Sequence, residues 1–462
     1  MRLKKSYLFA MLATFLLMRL VSLGLYPLMD TTEARYGEMA RLMVETGNWL
    51  TPQFDYNVPF WGKPPLFAWM SALGIKAFGL SEFAVRFPHW LAGLVTISLS
   101  MLFASRNKIS PLLTGIILIT CGIFFVSSGS VMTDMALTLS ITITMLSFYL
   151  CWSGKKAWGY VGFAGLGIGL LAKGPVAIVL AGVAFYPFLA VQHGLLNAFA
   201  VFWKRFPVVT GTLLMLGICL PWYIMAEKAT PGFLDYFILG EHWKRFTLPG
   251  WEGDLYGSAH DRPRGMIWLF GLAVALPWSL LLPVLVWRKW KKPTAEAVAV
   301  TPLSYFLLFW LVSPMVLFTF AGNILPTYVL PGLPALALLC AGLLAQGDEK
   351  WFTGFCKAMP VGLLAALLIV RFVVADTVSD KVLFETADSS VPAFYIQKRP
   401  FSGQYYSNGK ATVLSSYEFL EGINSQYYLL GKKKYLDKFI EENEVDCTLV
   451  AESSNRQRYL CE

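Results

Sequence analysis

The feature that most constrains this chain is the recurrence of apolar runs of about 20 residues along most of its 462 positions. They fall near residues 7–26, 84–104, 110–128, 132–151, 157–172, 174–192, 206–226, 265–287, 302–321, 325–345 and 353–375. Such a run can cross a hydrocarbon core of about 30 Å. In hydrocarbon each backbone N–H and C=O needs a partner inside its own segment or in a closed barrel, so long continuous runs fold as helices. Composition agrees: 56% of residues are hydrophobic and 15% charged, against about 25% charged in a soluble domain. The expected fold is an all-α polytopic membrane protein with about 11 transmembrane helices.

The net charge of +9 is a topology signal. With the basic start MRLKKS inside, the inner loops hold Arg106 and Lys108, Lys155 and Lys156, Lys204 and Arg205, then Arg288, Lys289, Lys291 and Lys292, as the positive-inside bias requires. No basic patch with interleaved aromatics points to nucleic acid. The first run reads as a retained signal anchor, because no small-residue cleavage site follows it. Arg19 within it either snorkels or faces the bundle interior. The outer side receives residues 27–83, residues 227–264, three short turns and the polar stretch 376–462.

Residues 27–83 form the first long polar interruption. Asp30-Thr31-Thr32-Glu33 has the form of a capping box, with Asp30 as N-cap and Glu33 at the third helical position. Ala34, Met39, Ala40 and Met43 keep helical spacing up to a stop at Gly47-Asn48. Leu66–Phe78 is apolar but too short to span, and is expected along the interface. Residues 1–375 then make a membrane unit and 376–462 a small α/β domain, with strand-like runs at 382–386, 411–415 and 426–430 and a helix at 433–442. Cys121, Cys151, Cys219, Cys340 and Cys356 lie in or beside apolar runs and suit packing. Cys447 and Cys461 lie in the polar tail, and are bridged or free depending on compartment. No Cys or His spacing suggests a metal site.

Four groups of ionisable residues fall at the outer ends of the expected spans. They are Asp30, Glu33, Arg35 and Lys63; Asp134; Lys173; and the run Asp235, Tyr236, Glu241, His242, Lys244, Arg245. At membrane depth each costs roughly 2.5–3.5 kcal/mol, so each needs a partner or a task. Lysines and an arginine can hold a phosphate leaving group, and a carboxylate can take a proton from an incoming nucleophile. A helix N-terminus would keep Asp30 ionised. The plain alternatives stand beside these: Asp30 as a cap only, Glu33 as its capping partner, Lys63 as a loop lysine, Asp134 and Lys173 as interfacial charges, His242 as a solvated side chain. Chemistry of this kind suits group transfer from a lipid-linked phosphate. A transporter of lipid-linked sugars is the rival class, but no internal repeat marks one. A non-catalytic glycan-binding scaffold is the third.

At these residues the chain resembles the superfamily of aminoarabinose (4-amino-4-deoxy-L-arabinose) lipid A transferases and protein O-mannosyltransferases. The matching residues are Asp30, Glu33-Ala34-Arg35-Tyr36, Gly47-Asn48-Trp49, Phe60-Trp61-Gly62-Lys63-Pro64-Pro65, Thr133-Asp134, Leu171-Ala172-Lys173-Gly174-Pro175, Tyr236-Phe237, Glu241-His242, Arg245-Phe246 and Leu325-Pro326-Thr327-Tyr328-Val329-Leu330-Pro331. The resemblance covers roughly residues 5–345. It implies a GT-C glycosyltransferase of the bacterial inner membrane, inverting, with its site and C-terminal domain on the periplasmic side. The implied donor is a polyprenyl-phosphate sugar, and the acceptor a lipid, a glycan or a protein. By motif, Asp30 and Asp134 would be catalytic. Lys63, Lys173 and Arg245 would bind the donor phosphate, and Glu33, Arg35, Tyr36, Tyr236, Glu241, His242 and Tyr328 would bind substrate. Two positions depart from the pattern: Gly62 stands where aminoarabinose transferases typically have Glu, and Asn323 where they tend to have Lys. A divalent cation is the one cofactor the resemblance leaves open, and position 62 offers it no ligand.

Overall fold

The structure is a computed structural model that describes residues 4–248, 250–257, 262–291, 301–344, 350–414, 423 and 425–462. The first apolar run folds as α1 (Lys5–Ser22), and a short loop leads on to the helix α2 (Thr32–Thr46). A two-stranded hairpin, β1 (Gln53–Asp55) and β2 (Val58–Pro59), follows and leads to α3 (Leu66–Phe78). Then come α4 (Glu82–Arg106), the broken pair α5 (Pro111–Thr120) and α6 (Gly122–Ser127), and α7 (Thr133–Trp152). Next are α8 (Trp158–Lys173), α9 (Val176–His193), α10 (Leu195–Arg205) and α11 (Val208–Ala229).

Local chemistry sets many of these boundaries. Ser81 caps α4 by accepting from the Ala84 N–H, and Ser110 caps α5 by accepting from Leu113, with Pro111 at the first helical position. α2 ends on Gly47 at φ 69°, a left-handed position that glycine fills without strain.

After α11 the chain makes a π-helical segment, Asp235–Lys244, and the short α12 (Arg245–Thr247). α13 (Met266–Val274) and α14 (Trp278–Lys291) meet at an 87° bend, with Pro277 at the break, where a helix cannot continue unkinked. α15 (Pro302–Phe318) follows. The run at 325–345 opens as a 3₁₀ turn, Pro326–Gly332, before α16 (Leu333–Leu344). The last apolar run is α17 (Lys350–Ile369), a π turn (Val370–Val374) and α18 (Ala375–Val378).

Among the described residues seven helices are long and apolar enough to cross a membrane, and an eighth if the bent pair is one span. The chain is a multi-pass membrane protein. The expected eleven spans are not reached by length, because three apolar runs give helices shorter than the required 18–20 residues. α5 stops after 10 residues, α8 has 16 and α15 has 17. Arg19 faces inward and is almost fully buried. It donates to the carbonyls of Ser128 and Val126, to the Ser22 hydroxyl and to the Tyr26 hydroxyl. Lys292 of the expected inner loop lies outside the described residues.

α3 buries one face against α2 and leaves Leu73 and Phe78 exposed. Phe67, Ala68 and Ala72 pack into a cluster with Tyr36, Met39 and Met43 of α2. The central core gathers α7, α8, α9, α11 and α15 around Phe148, Phe185, Phe188, Trp222, Phe306 and Trp310.

Beyond α18 lie α19 (Lys381–Glu385), β3 (Ala393–Tyr395), α20 (Phe401–Tyr406), β4 (Thr412–Val413), β5 (Tyr427–Gly431), α21 (Lys433–Asn443), β6 (Cys447–Glu452) and β7 (Gln457–Cys461). The sheet order is β4-β3-β5-β7-β6, parallel across β4, β3 and β5 and antiparallel from there. The α/β character, β5 and α21 follow the sequence reading. The run 382–386 is helix α19 instead of a strand, with Leu383 buried in the core beneath the sheet. Residue 415, at the end of the run 411–415, lies outside the described residues. Cys447 and Cys461 face each other across β6 and β7 and are bridged.

Candidate functional site

The expected site residues converge because several chain segments end on one cavity. It has a volume of about 1820 Å³ and lies between the loop helix α2, the start of α7, the end of α8, the start of α9, the π-helical segment and the C-terminal sheet unit. Asp30, Arg35, Tyr36, Lys63, Asp134, Lys173, Glu241, His242, Arg245 and Tyr328 all line it. Glu33 and Tyr236 do not.

Glu33 sits behind the cavity wall. Its two oxygens accept from the Nε and Nη2 of Arg86 at 2.8 Å each. Arg86 is wholly buried and also donates to the carbonyls of Leu23, Tyr26 and Pro27. Burial alone would raise the Glu33 carboxyl, but the Arg86 guanidinium reverses this and holds its pKa below the ordinary value. Glu33 therefore fastens α2 to α1 and α4. The Tyr236 hydroxyl accepts from the Leu255 N–H at 3.1 Å, and its ring packs near Trp61, Trp251 and Tyr256.

The capping box is not formed as expected. The N-cap of α2 is Thr31, without a side-chain cap, and only Glu33 reaches back, accepting from the Met29 N–H at 3.3 Å. Asp30 turns instead to the C-terminal unit, where its Oδ1 accepts from the Ser402 N–H at 3.0 Å and its Oδ2 from the Ser402 hydroxyl. Its pKa is accordingly raised, not lowered: burial outweighs the Ser402 donors, and nearby Asp380 adds to it.

Cations and carboxylates alternate around the rest of the cavity. Lys63 Nζ lies 2.7 Å from Glu241 Oε2, and Arg245 Nη1 lies 2.8 Å from Glu241 Oε1 and 3.1 Å from Asp254 Oδ2. Lys173 Nζ lies 2.6 Å from Asp134 Oδ1 and 4.3 Å from the centre of the Tyr328 ring. Burial would raise the Glu241 carboxyl, but Lys63 and then Arg245 overcome it and hold it low. The His242 ring faces the Phe237 carbonyl at 2.8 Å and the Lys173 carbonyl at 3.1 Å, and burial lowers its pKa. This contact needs Gly174, whose φ is 83° and whose missing Cβ would lie 2.9 Å from His242 Nε2.

Arg35 Nη1 donates to the Tyr256 carbonyl at 2.6 Å, and its guanidinium lies over Tyr36, Phe60 and Phe401. It has no carboxylate partner among the described residues. Asn323, standing where a lysine was expected, donates to the carbonyls of Arg245 and Leu248 and so supports the cavity wall.

The sequence reading missed Arg86, Asp254, Tyr256 and Ser402. Arg86 carried a signal, an arginine inside an apolar run, whereas Ser402 carried none. No group of three or more His, Cys, Asp or Glu side chains suited to a metal occurs among the described residues. Glu241 spends both oxygens on Lys63 and Arg245 and leaves neither free for a cation.

Comparison with known proteins agrees with this architecture. The chain is 31% identical over 355 residues to an undecaprenyl phosphate-alpha-4-amino-4-deoxy-L-arabinose arabinosyl transferase of Enterobacter sp. (strain 638), covering 73% of this chain and 59% of that protein. The protein of the same description from Pseudomonas savastanoi pv. phaseolicola is 30% identical over 348 residues, covering 73% and 61%. The chain thus spans about three-fifths of the length of these relatives. The crystal structure of ArnT from Cupriavidus metallidurans bound to undecaprenyl phosphate superposes with a TM-score of 0.79 at 18% identity, covering 99% of this chain and 98% of that one. The apo form gives 0.75. The fold is the one these structures have. The model of the family described as dolichyl-phosphate-mannose-protein mannosyltransferase matches residues 4–237, half of the chain, and the chain belongs to that family.

Proposed function

We propose that this chain is a glycosyltransferase that moves a sugar from a polyprenyl-phosphate donor to an acceptor at the outer face of a bacterial inner membrane, with lipid A or another envelope glycan as the acceptor class. The observation that carries the reading is the single cavity in which the Asp30 carboxylate shares walls with Lys63, Lys173 and Arg245. The relatives named as undecaprenyl-phosphate-dependent arabinosyl transferases support the donor class, as does the like-folded ArnT bound to undecaprenyl phosphate. The periplasmic side is supported by the basic inner loops and by the Cys447–Cys461 bridge, which suits an oxidising compartment. We take residues 1–375 as the catalytic membrane unit and 376–462 as an outer unit that closes over it.

In this mechanism an acceptor hydroxyl or phosphate oxygen attacks the anomeric carbon. The bond from that carbon to the donor phosphate breaks, and its electron pair leaves on the phosphate. Asp30 takes the proton of a hydroxyl acceptor; its raised pKa makes it a stronger base than a solvated carboxylate. The leaving phosphate gains charge as the bond breaks, and Lys63 and Lys173 swing from Glu241 and Asp134 to meet it. The same cavity is lined by Lys398 and Lys432, which are exposed and have no ion-pair partner among the described residues, and this favours an anionic acceptor over a neutral peptide.

The test is mass spectrometry of envelope lipids and proteins from cells expressing the intact chain, Asp30→Asn or neither. A sugar-sized mass added to one acceptor by the intact chain and absent with Asp30→Asn at equal protein level is expected. An unchanged product pattern would remove Asp30 from the reaction. A lipid-linked sugar that becomes accessible outside, with no acceptor gaining mass, would replace transfer by transport.

A further inference from the structure

We infer that Ser402, contributed by the C-terminal unit, is the positioning residue of Asp30, so that the outer unit completes the base. This deepens the reading above, in which Asp30 is that base. The two residues are 372 positions apart, yet both Asp30 oxygens accept from Ser402. The hydroxyl is not free to turn. Its oxygen accepts from the Asp380 N–H at 3.0 Å, which directs its hydrogen to Asp30. Ser402 is fully buried.

The contact is built from both sides. Asp30 itself donates its backbone N–H to the Val378 carbonyl at 2.9 Å. Around it Arg399 and Gln404 hold Asp55, Tyr406 donates to Glu82, and the Tyr406 hydroxyl accepts from the Leu28 N–H. The next residue, Gly403, lies against Tyr395: a Cβ there would collide with the Tyr395 hydroxyl. Tyr395 in turn donates to Asp380 at 2.8 Å, and Arg456 lies 2.8 Å from the other Asp380 oxygen. The charged and titratable groups facing Asp30 are therefore Asp380, which disfavours its ionisation, Arg456, which favours it, and Tyr395. None of them donates to the Asp30 carboxylate. Ser402 does, and its two hydrogen bonds favour the ionised form and fix the direction of the carboxylate.

The sign follows. Removing the Ser402 hydroxyl withdraws a donor from the charged form, so Asp30 stays protonated to higher pH. The test uses the full chain in lipid nanodiscs, with Ser402→Ala and the near-isosteric but weaker donor Ser402→Cys. Dicyclohexylcarbodiimide, which forms an adduct with protonated buried carboxyls, reports Asp30 by peptide mass spectrometry across pH without needing turnover. The labelling midpoint should rise by about one pH unit in Ser402→Ala, with Ser402→Cys between it and the intact chain.

Transfer assays should show the acidic limb of kcat moving by the same amount while donor KM is unchanged. Coincident labelling curves for all three proteins would overturn the assignment. So would a Ser402→Ala variant more active at every pH, which would make the contact a plug. Shifted labelling in a chain that transfers no sugar would uphold the contact and sink the reading of Asp30 as a base.

Discussion

Lys63 and Lys173 each pair with a buried carboxylate, and in the proposed reaction each turns to the donor phosphate. Removing either takes away a charge-assisted bond of about 1.5–3 kcal/mol. Lys63→Ala and Lys173→Ala should therefore each lower kcat/KM for the donor about 10- to 100-fold. Steady-state kinetics against a polyprenyl-phosphate sugar checks this, and equal donor use in both variants would contradict the assignment.

Arg86 belongs to stability. Deleting it leaves the Glu33 carboxylate buried without its partner, and Arg86→Ala should cost about 3–5 kcal/mol, read as a fall in the detergent unfolding midpoint. The Glu33 pKa is lowered in the folded chain. Its contribution is thus complete above the ordinary carboxylate value of 4.5 and is lost as pH falls through the lower folded value. The intact chain should lose stability below about pH 4.5, and Glu33→Gln should flatten that loss.

Whole elements were legible where a local rule acted alone. Apolar runs gave helices because hydrocarbon leaves the backbone no other partner, and α21 and β5 followed their patterns. The capping box misled because a distant hydroxyl outcompeted the local N–H groups for Asp30, and no pattern around residue 30 encodes Ser402. Breaks inside the runs were not legible, because run length does not reveal the break at Cys121 between α5 and α6 or the 87° bend between α13 and α14. Convergence of Asp134, Lys173 and Glu241 was legible as a shared membrane face, but their pairing was not, since pairing depends on packing across helices.

α10 adds an element where the sequence reading left only an inner loop between residues 192 and 206. Leu196, Phe199 and Trp203 form one exposed apolar face, and Lys204 and Arg205 end the helix, the pattern of a helix lying in an interface. A polarity-sensitive dye on Leu196→Cys should report an apolar setting, and on Asn197→Cys a wetter one. Equal spectra would mean that α10 does not lie in the bilayer surface.

At the scale of the molecule, the C-terminal sheet unit is held to the loop helix by polar contacts, by Phe401, Tyr405 and Tyr406 packing into the cluster around Tyr36 and Met39, and by one membrane helix whose apolar window is only 6% buried by protein. The Cys447–Cys461 bridge joins the last two strands of that unit. In intact cells a membrane-impermeant maleimide should label these cysteines only after a reductant is added. Labelling without reduction would contradict the bridge, and labelling only after lysis would put the unit inside.

The Lys63–Glu241–Arg245 cluster has a consequence for what the site ignores. A vacant pocket of bare cations would fill with any small anion at hand. Here Glu241 acts as a resident counter-ion, and an incoming anion gains only the difference between itself and that carboxylate. Free phosphate or sulfate brings nothing further to the exchange. A ligand that also buries a long hydrocarbon chain does, so the acyclic tail of a lipid would supply the discrimination and the charged cluster would merely withhold its consent from everything without one.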